Sequence, residues 1–396
     1  MPALDGMRIL DMTQYEAGTS CTQALAWLGA DVVKVEPPVY GDPGRRTRLG
    51  DGNSPYFLNW NSNKRSIVLD LSTPRGRALL LEMAPHYDVF VENYGPGVVE
   101  KLDIDYDVMQ AANPSIIYAR LKGFGTSGPY SEYKCYDMVA QAAAGAFSVT
   151  GEADGSPMRP GATVGDAGTG VQLALAITSA YVQKQRTGEG QLIEISMQEA
   201  MTYFMRTQVA NGADWGESVT QRMGNGPVAP VNLYPCKGGG PNDYAYIMCT
   251  TDRMWDTLCV TLGQPELATD ARFTTGPLRR DNTPALREII EAWTLERTKW
   301  EVMETLGAAG VPCSANFDTR DLFHDPHLTE RGFIHTLDHP TQGEIKLLGW
   351  APRMSRSSVP VQRAPLMGEH SDEVLKDDLQ ISEDQVAELR EAGVIA

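Results

Sequence analysis

Apolar residues in the first half of the chain come in short runs bounded by turn residues, and these read as buried strands. Met7–Met12, Asp31–Glu36, Ser66–Leu71, Asp88–Glu92 and Ser115–Leu121 are such runs. Between them lie segments of helical period: Cys21–Leu28, with Ala24, Leu25 and Leu28 on one face, and Gly76–Ala84. Strands alternating with helices at this spacing predict an α/β fold with a mostly parallel, doubly wound sheet. A longer helix is expected from Gly170 to Gln185, stopped by Arg186-Thr-Gly-Glu-Gly190, followed by a strand over Gln191–Met197 and a helix over Gln198–Val209. Residues 211–242 are rich in glycine and proline and read as a linker with loops. Beyond them, a strand at Tyr244–Thr250 and helices after Asp252 and over Pro284–Leu306 predict a smaller α/β domain. The chain closes on a helix opened by the capping box Ser382-x-x-Gln385 and stopped at Gly393.

Composition narrows the function. The chain has 396 residues, enough for two domains, with 34 Lys and Arg against 51 Asp and Glu, a formal net charge of −17. Such a surface repels nucleic acid and anionic lipid as a whole, so an anionic ligand needs a local basic pocket. No run approaches the roughly 18 consecutive apolar residues of a membrane helix. The start lacks the basic segment and cleavage site of a secretory signal, so a cytoplasmic protein is expected. Six cysteines without a Cys-x-x-Cys read as reduced thiols, which argues against a zinc ribbon, a redox dithiol or any metal site. The six histidines leave residues 87–323 without one. Chemistry in that stretch must run without imidazole.

Several motifs carry candidate chemistry. Gly123-Phe-Gly125-Thr-Ser-Gly128 matches the dinucleotide fingerprint formally, but Pro129-Tyr-Ser-Glu-Tyr-Lys follows instead of a helix. A turn that lets the backbone approach a ligand is the preferred reading. Gly165-Asp166-Ala-Gly168-Thr-Gly170 sets a carboxylate among glycines at a helix mouth. Asp166 there is either an N-terminal cap or a nucleophile. In the second case, bare glycines would admit a bulky thioester and helix amides would lower the carboxylate's pKa. A carboxylate that attacks an acyl group needs no histidine. Lys64-Arg65 is a basic pair that serves either a solvated turn or a phosphate. Glu92-Asn93-Tyr94-Gly95-Pro96-Gly97 falls at a strand's carboxyl end, where open α/β sheets bind ligands. Lys134-Cys135-Tyr136-Asp137 adds a cation and a phenol. Gly224-Asn225-Gly226 is either a flap or a linker turn.

In this order, the residues resemble the class III coenzyme A transferase family, which includes formyl-CoA transferase and carnitine CoA-transferase and is related to α-methylacyl-CoA racemase. The resemblance runs from Leu4-Asp-Gly-Met-Arg-Ile-Leu-Asp through Ala17-Gly18, Leu28–Glu36, Asn63-Lys-Arg-Ser66, Glu92–Gly97 and Gly123-Phe-Gly125 to Arg363-Ala-Pro-Leu-Met-Gly-Glu-His370. It implies a Rossmann-like large domain that takes both chain ends around a smaller one. The expected boundaries are a CoA-binding domain at 1–210, a linker at 211–240, a small domain at 241–325 and a return segment at 326–396. It also implies an interlocked homodimer, or a hetero-oligomer with a related subunit. Asp166 would attack an acyl-CoA to form a mixed anhydride, then carry CoA as a thioester until a free carboxylic acid takes it. No tightly bound cofactor is implied. CoA contacts would include Ala17, Leu69, Asp70, Leu71, Ser72, Asn93, Tyr94, Gly95, Lys101, Lys134 and Tyr136, beside Lys64, Arg65 and Cys135. Three positions depart from the formyl-CoA transferase pattern. Glu16 stands for a glutamine beside the reacting groups, Pro37 replaces a CoA-contacting arginine, and the glycine flap shrinks to Gly224-Asn225-Gly226. Arg45, Arg46 or Lys64 would have to replace that arginine. These departures point away from formate or oxalate and toward another acid, in a pocket walled by Glu16, Tyr56, Trp60 and Tyr136. The racemase alternative needs a histidine where Tyr136 stands. A non-catalytic acyl-CoA-binding subunit, the third reading, would be expected to lose Asp166.

Overall fold

The computed structural model describes residues 1–47, 53–226 and 228–396. The chain divides into two compact units, one of Met1–Phe147, Arg159–Ser218 and Gly332–Ala396, the other of Ser148–Met158 and Val219–Arg331.

In the first unit the chain runs β1 (Arg8–Met12), α1 (Ala17–Trp27), β2 (Asp31–Glu36), α2 (Pro55–Trp60), β3 (Arg65–Val68), α3 (Pro74–Met83), β4 (Val89–Glu92), α4 (Val98–Lys101), α5 (Tyr106–Ala112) and β5 (Ile117–Lys122). It continues with α6 (Asp137–Ala143), α7 (Val164–Thr187), β6 (Leu192–Ser196), α8 (Met197–Phe204) and α9 (Arg206–Gly212). The six strands form one all-parallel sheet in the order β3-β2-β1-β4-β5-β6. Strand periodicity splits the core in two, because alternate residues face opposite sides. Leu10, Phe90 and Tyr118 pack with Leu79, Met83 and Met109 on one face, while Ile9, Val89, Val91 and Ile117 pack with Leu25, Leu173 and Ile177 on the other.

The second unit holds β7 (Asn232–Pro235), β8 (Tyr244–Ile247), α10 (Asp252–Thr261), α11 (Gly276–Asp281), α12 (Thr283–Thr294), α13 (Lys299–Ala309), β9 (Cys313–Ala315), α14 (Thr319–His324) and α15 (Pro326–Glu330). Its antiparallel sheet, β7-β8-β9, packs on Trp255, Leu258, Phe273, Ile290 and Leu306. The returning chain forms the hairpin β10 (Ile334–His339) and β11 (Gly343–Leu348), then α16 (Ser371–Leu379) and α17 (Glu383–Glu391). Val374, Leu375, Val386 and Leu389 of these last helices complete the first face's core.

Five expectations change. The helix expected over Gln198–Val209 breaks at Met205 into α8 and α9. The stretch 211–240 contributes strand β7. Residues 148–158, from within the span expected for the large domain, belong to the second unit. The helix expected over Pro284–Leu306 breaks before Thr298, which starts α13 with a reciprocal cap to Glu301. Finally, α7 begins six residues before Gly170, which places Asp166 inside its first turn.

Candidate active site

The strand order reverses between β1 and β4, so the loops after these strands diverge and open a crevice. Asn93, after β4, clamps the backbone of Gln14, after β1. Its Oδ1 accepts the Gln14 N–H at 2.8 Å and its Nδ2 donates to the Gln14 carbonyl at 2.9 Å. A Cβ on Gly18 would lie 2.4 Å from the Thr13 methyl and 3.2 Å from Asn93 Cγ, so only glycine lets α1 start this close. Tyr15 takes the left-handed φ of +58° and its N–H donates to Asp42 Oδ1 at 3.1 Å. Strained residues of this kind persist where neighbours fix them, often beside a reacting centre. The next residue is Glu16. It is buried, and its Oε1 accepts a hydrogen bond from Thr163, the residue that precedes α7; the Tyr56 hydroxyl also hydrogen-bonds it.

Asp166 lies in the first turn of α7, 9% exposed. Its backbone N–H donates to Asp137 Oδ1 at 3.0 Å, while Asp137 Oδ2 accepts from Gln141 Nε2 at 2.8 Å. Asp137 therefore serves the free amide at the helix mouth. Asp166 caps nothing, and its buried Oδ1 has no hydrogen-bond partner. Buried carboxylate oxygens are nearly always paired, so an orphan calls for a functional reason.

The electrostatics run opposite to the expectation of a lowered pKa. Burial, then the nearby Glu16 and Asp137 carboxylates, push Asp166 up to about 8. Burial raises Glu16 to about 7, with Asp137 adding to the rise against the Thr163 and Tyr56 hydrogen bonds. The glycine frame also has a different cause from the one expected. A Cβ on Gly165 would meet the Asp137 carbonyl at 2.7 Å, and one on Gly170 would meet Ser20 Oγ at 2.0 Å and the Ala17 carbonyl at 2.5 Å. Their missing side chains let α6 and α1 pack against α7. They leave no room for a ligand.

A cavity of about 320 Å³ opens onto Asp166. Ala17, Asn93, Tyr94, Gly95, Lys134, Cys135 and Tyr136 line it, as do Gln14, Tyr15, Lys122 and Met197, which the sequence reading passed over. Tyr15 and Tyr136 meet edge to face with ring centres 6.0 Å apart. A second cavity of about 240 Å³ shares Gln14 and Tyr94 with the first and is lined by Leu69, Asp70, Leu71 and Ser72 beside Val35, Pro37 and Leu102. Among the missed residues, Tyr15 carried no sequence signal, since its role comes from backbone geometry. Asp137 stood beside the flagged Tyr136.

Other candidates lie elsewhere. The Lys64 ammonium is buried and donates to Asp11 Oδ2 (3.0 Å), Asn61 Oδ1 (2.9 Å) and the Thr19 carbonyl (3.1 Å), so its three protons are committed to protein. Arg65 pairs with Asp31 and Glu373. Arg45 is buried against Glu36 at 2.6 Å, and Arg46 packs on the Tyr40 ring. Lys64 and Arg45 are thus buried counter-ions and Arg65 a partly exposed one, which explains why they do not gather in the crevice. Lys101, at the end of α4, and Trp60 line neither cavity. Gly224, Asn225 and Gly226 belong to the second unit, where the Gly224 N–H donates to the Gly151 carbonyl at 3.0 Å. Gly123 presses on Cys135, and Gly125 and Gly128 lie in a loop with no helix before α6, so no dinucleotide fingerprint forms.

The family model of CoA-transferase family III matches residues 4–371. The chain belongs to CoA-transferase family III. Similar curated proteins include the formyl-CoA:oxalate CoA-transferases of Streptomyces coelicolor, 39% identical with 99% of each chain covered, and of Rhodopseudomonas palustris strain BisA53, 39% identical over 99% of this chain and 97% of that one. Among solved structures, a CAIB/BAIF family protein from Brucella suis superposes with a TM-score of 0.85 at 32% identity, covering 95% of this chain and 99% of that chain. Rv3272 from M. tuberculosis superposes at 0.80 with 27% identity, covering 94% and 98%. The chain is thus a class III CoA-transferase enzyme, and its Rossmann-like parallel sheet is shared with these neighbours.

Proposed function

We propose that this transferase moves CoA from an acyl-CoA donor to a free carboxylic acid by covalent catalysis at Asp166. The observation that carries the reading is a buried carboxylate oxygen without a partner, at the sheet's switch-point crevice. Asp166 attacks the thioester carbonyl; the C–S bond breaks, leaving a mixed anhydride and CoA thiolate. The thiolate attacks the aspartyl carbonyl of the anhydride, the C–O bond breaks, and the donor acid departs. The acceptor carboxylate then attacks the aspartyl thioester, and the released thiolate attacks the acceptor's carbonyl, restoring Asp166. No proton is transferred in any step, which accords with a cavity lined by no histidine among the described residues. The same observation disfavours racemisation, since Tyr136, 61% exposed, stands where that reaction would need a histidine. Acidic neighbours that raise the pKa of Asp166 also raise the electron density available for attack. The anionic form is required, so kcat/KM for the donor rises with pH through roughly 7 to 8, where the Glu16–Asp166 pair titrates.

CoA would lie along the two joined cavities, its adenosine against Leu69, Leu71 and Pro37, and its thioester beside Asp166. Lys134, exposed at the rim, would meet the phosphates. For a chain of net charge −17, that cation supplies the local basic contact the ligand needs. We assign the exposed apolar surface of Val171, Leu175, Tyr203, Phe204 and Trp215 to contact with a second copy of the chain, because patches of this kind on a monomer mark interfaces. Unpaired cysteines accord with a cytoplasmic enzyme, and among the described residues no helix is long and apolar enough to cross a membrane. Mass spectrometry after mixing with acyl-CoA and hydroxylamine or borohydride tests the mechanism. A modified Asp166 is expected. An unmodified Asp166 in an enzyme that still exchanges CoA would overturn it.

A further inference from the structure

The wall behind Asp166 holds two further carboxyl groups and is most negative above about pH 7, where Glu16 is ionised. Glu16 and Asp137 are both buried, and the side chains that touch them are neutral or form the backbone frame: Thr163 and Tyr56 on Glu16, Gln141 and the Asp166 amide on Asp137. Among the described residues no cation figures among the charges acting on Glu16 or Asp166: Asp137 acts on both, and Glu16 acts on Asp166. Among the described residues, the buried cations near the crevice are committed elsewhere. Lys122 lines the cavity but is held by Glu92 at 2.9 Å and the Tyr94 carbonyl at 2.6 Å. Lys34 is buried on Asp42 at 2.8 Å, and Lys64 on Asp11. Lys134 is exposed at the rim. Glu16 itself is 3% exposed, but its chain neighbours Tyr15 and Ala17 both line the cavity, so its charge acts on the contents through a thin, poorly polarisable wall.

When Asp166 is esterified in the acyl or thioester form, its own charge disappears and the site can admit one carboxylate. A second carboxylate on the same molecule would come near the buried Glu16 and Asp137 without meeting an uncommitted buried cation among the described residues, and like-charge juxtaposition strongly disfavours binding. We infer that Glu16 is a specificity residue that restricts the acceptor to monocarboxylic acids without a second anionic group. This rests on the transferase reading above and sharpens it. It also sets the chain apart from relatives whose names include oxalate, a dianion.

The test uses matched acid pairs, propanoate against malonate and butanoate against succinate, with the best donor from acetyl-, propionyl- and benzoyl-CoA. For the unmodified enzyme, kcat/KM for each monoacid is expected to exceed that of its diacid partner at least tenfold. Glu16→Gln keeps an acceptor for Thr163 but removes the charge, and should narrow that ratio about tenfold, mainly through KM for the diacid. Glu16→Asp keeps the charge and should preserve discrimination, which a purely structural role would not predict. Equal use of both acids by the unmodified enzyme, or equal change for both in Glu16→Gln, overturns the proposal. Absence of CoA exchange with every acid, together with no adduct on Asp166, would instead remove the transferase reading beneath it.

Discussion

The first unit buries two clusters of charge that obey opposite rules. Under β1, β2 and β3, each charge meets its complement: Lys64 on Asp11, Lys34 on Asp42, Arg45 on Glu36, with Ser66 and Thr13 hydroxyls filling remaining acceptors. Counter-charges hold Asp11 and Glu36 below the usual carboxylate range despite complete burial. At the mouth of α7, Glu16, Asp137 and Asp166 lie together with no cation acting on Glu16 or Asp166 among the described residues, and the pKa values of these two rise. The first cluster fixes loops in place. The second holds a carboxyl in an environment that does not stabilise its anion, and so leaves it disposed to react.

Asp166→Asn should break this contrast most severely. It is expected to lower CoA exchange at least about 10³-fold, because an amide cannot form the anhydride. The same variant should gain stability relative to the unmodified protein as pH rises. A carboxyl whose folded pKa of about 8 lies above its unfolded value favours the fold fully below the unfolded pKa, and that contribution is lost as pH rises toward 8. Thermal melting should therefore find the variant near the unmodified protein at pH 4 and more stable at pH 9. Equal melting differences at both values would show that Asp166 is not strained by its surroundings.

The paired cluster should fail in the opposite way. Lys64→Met leaves Asp11 buried without its principal counter-ion and should cost roughly 3–5 kcal/mol in urea unfolding. A fully folded variant with only a raised KM for acyl-CoA would instead restore Lys64 as a phosphate contact. Gly170→Ala tests the frame between the clusters. Its methyl group meets Ser20 Oγ and the Ala17 carbonyl, so a loss of roughly 1–3 kcal/mol is expected from overpacking between α1 and α7. The smallest effect belongs to the rim. Lys134→Ala should raise KM for acyl-CoA about five- to tenfold with kcat nearly unchanged and the melting curve unmoved, a split visible in initial-rate kinetics.

Much of the fold was legible because strand periodicity and turn residues act locally. Every strand of the parallel sheet falls within or beside an expected run, and Asp166 stood out from its glycine-rich setting. The breaks at Met205 and before Thr298 were less visible, since apolar spacing continues across both. The glycines around Asp166 were correctly marked as special but for the wrong neighbour, because sequence shows that a Cβ is missing without showing what occupies its place.

By itself, the sequence determined the doubly wound class, the family, an aspartate as the candidate nucleophile and a long middle stretch without imidazole. Hydrophobic period and residue chemistry carry the fold class and the missing imidazole over short distances; the family, and with it the aspartate's expected role, came from the resemblance of motifs along the whole chain. Tertiary structure alone decided which charges neutralise one another. Lys64 and Arg65 read as a basic pair, yet lie against Asp11 and Asp31, residues 53 and 34 positions away. Asp166 read as a carboxylate made more acidic by helix amides, yet Asp137 takes its amide and Glu16 adds to the repulsion. Electrostatic character depends on burial and on partners brought together by folding, and neither is a local property of the chain.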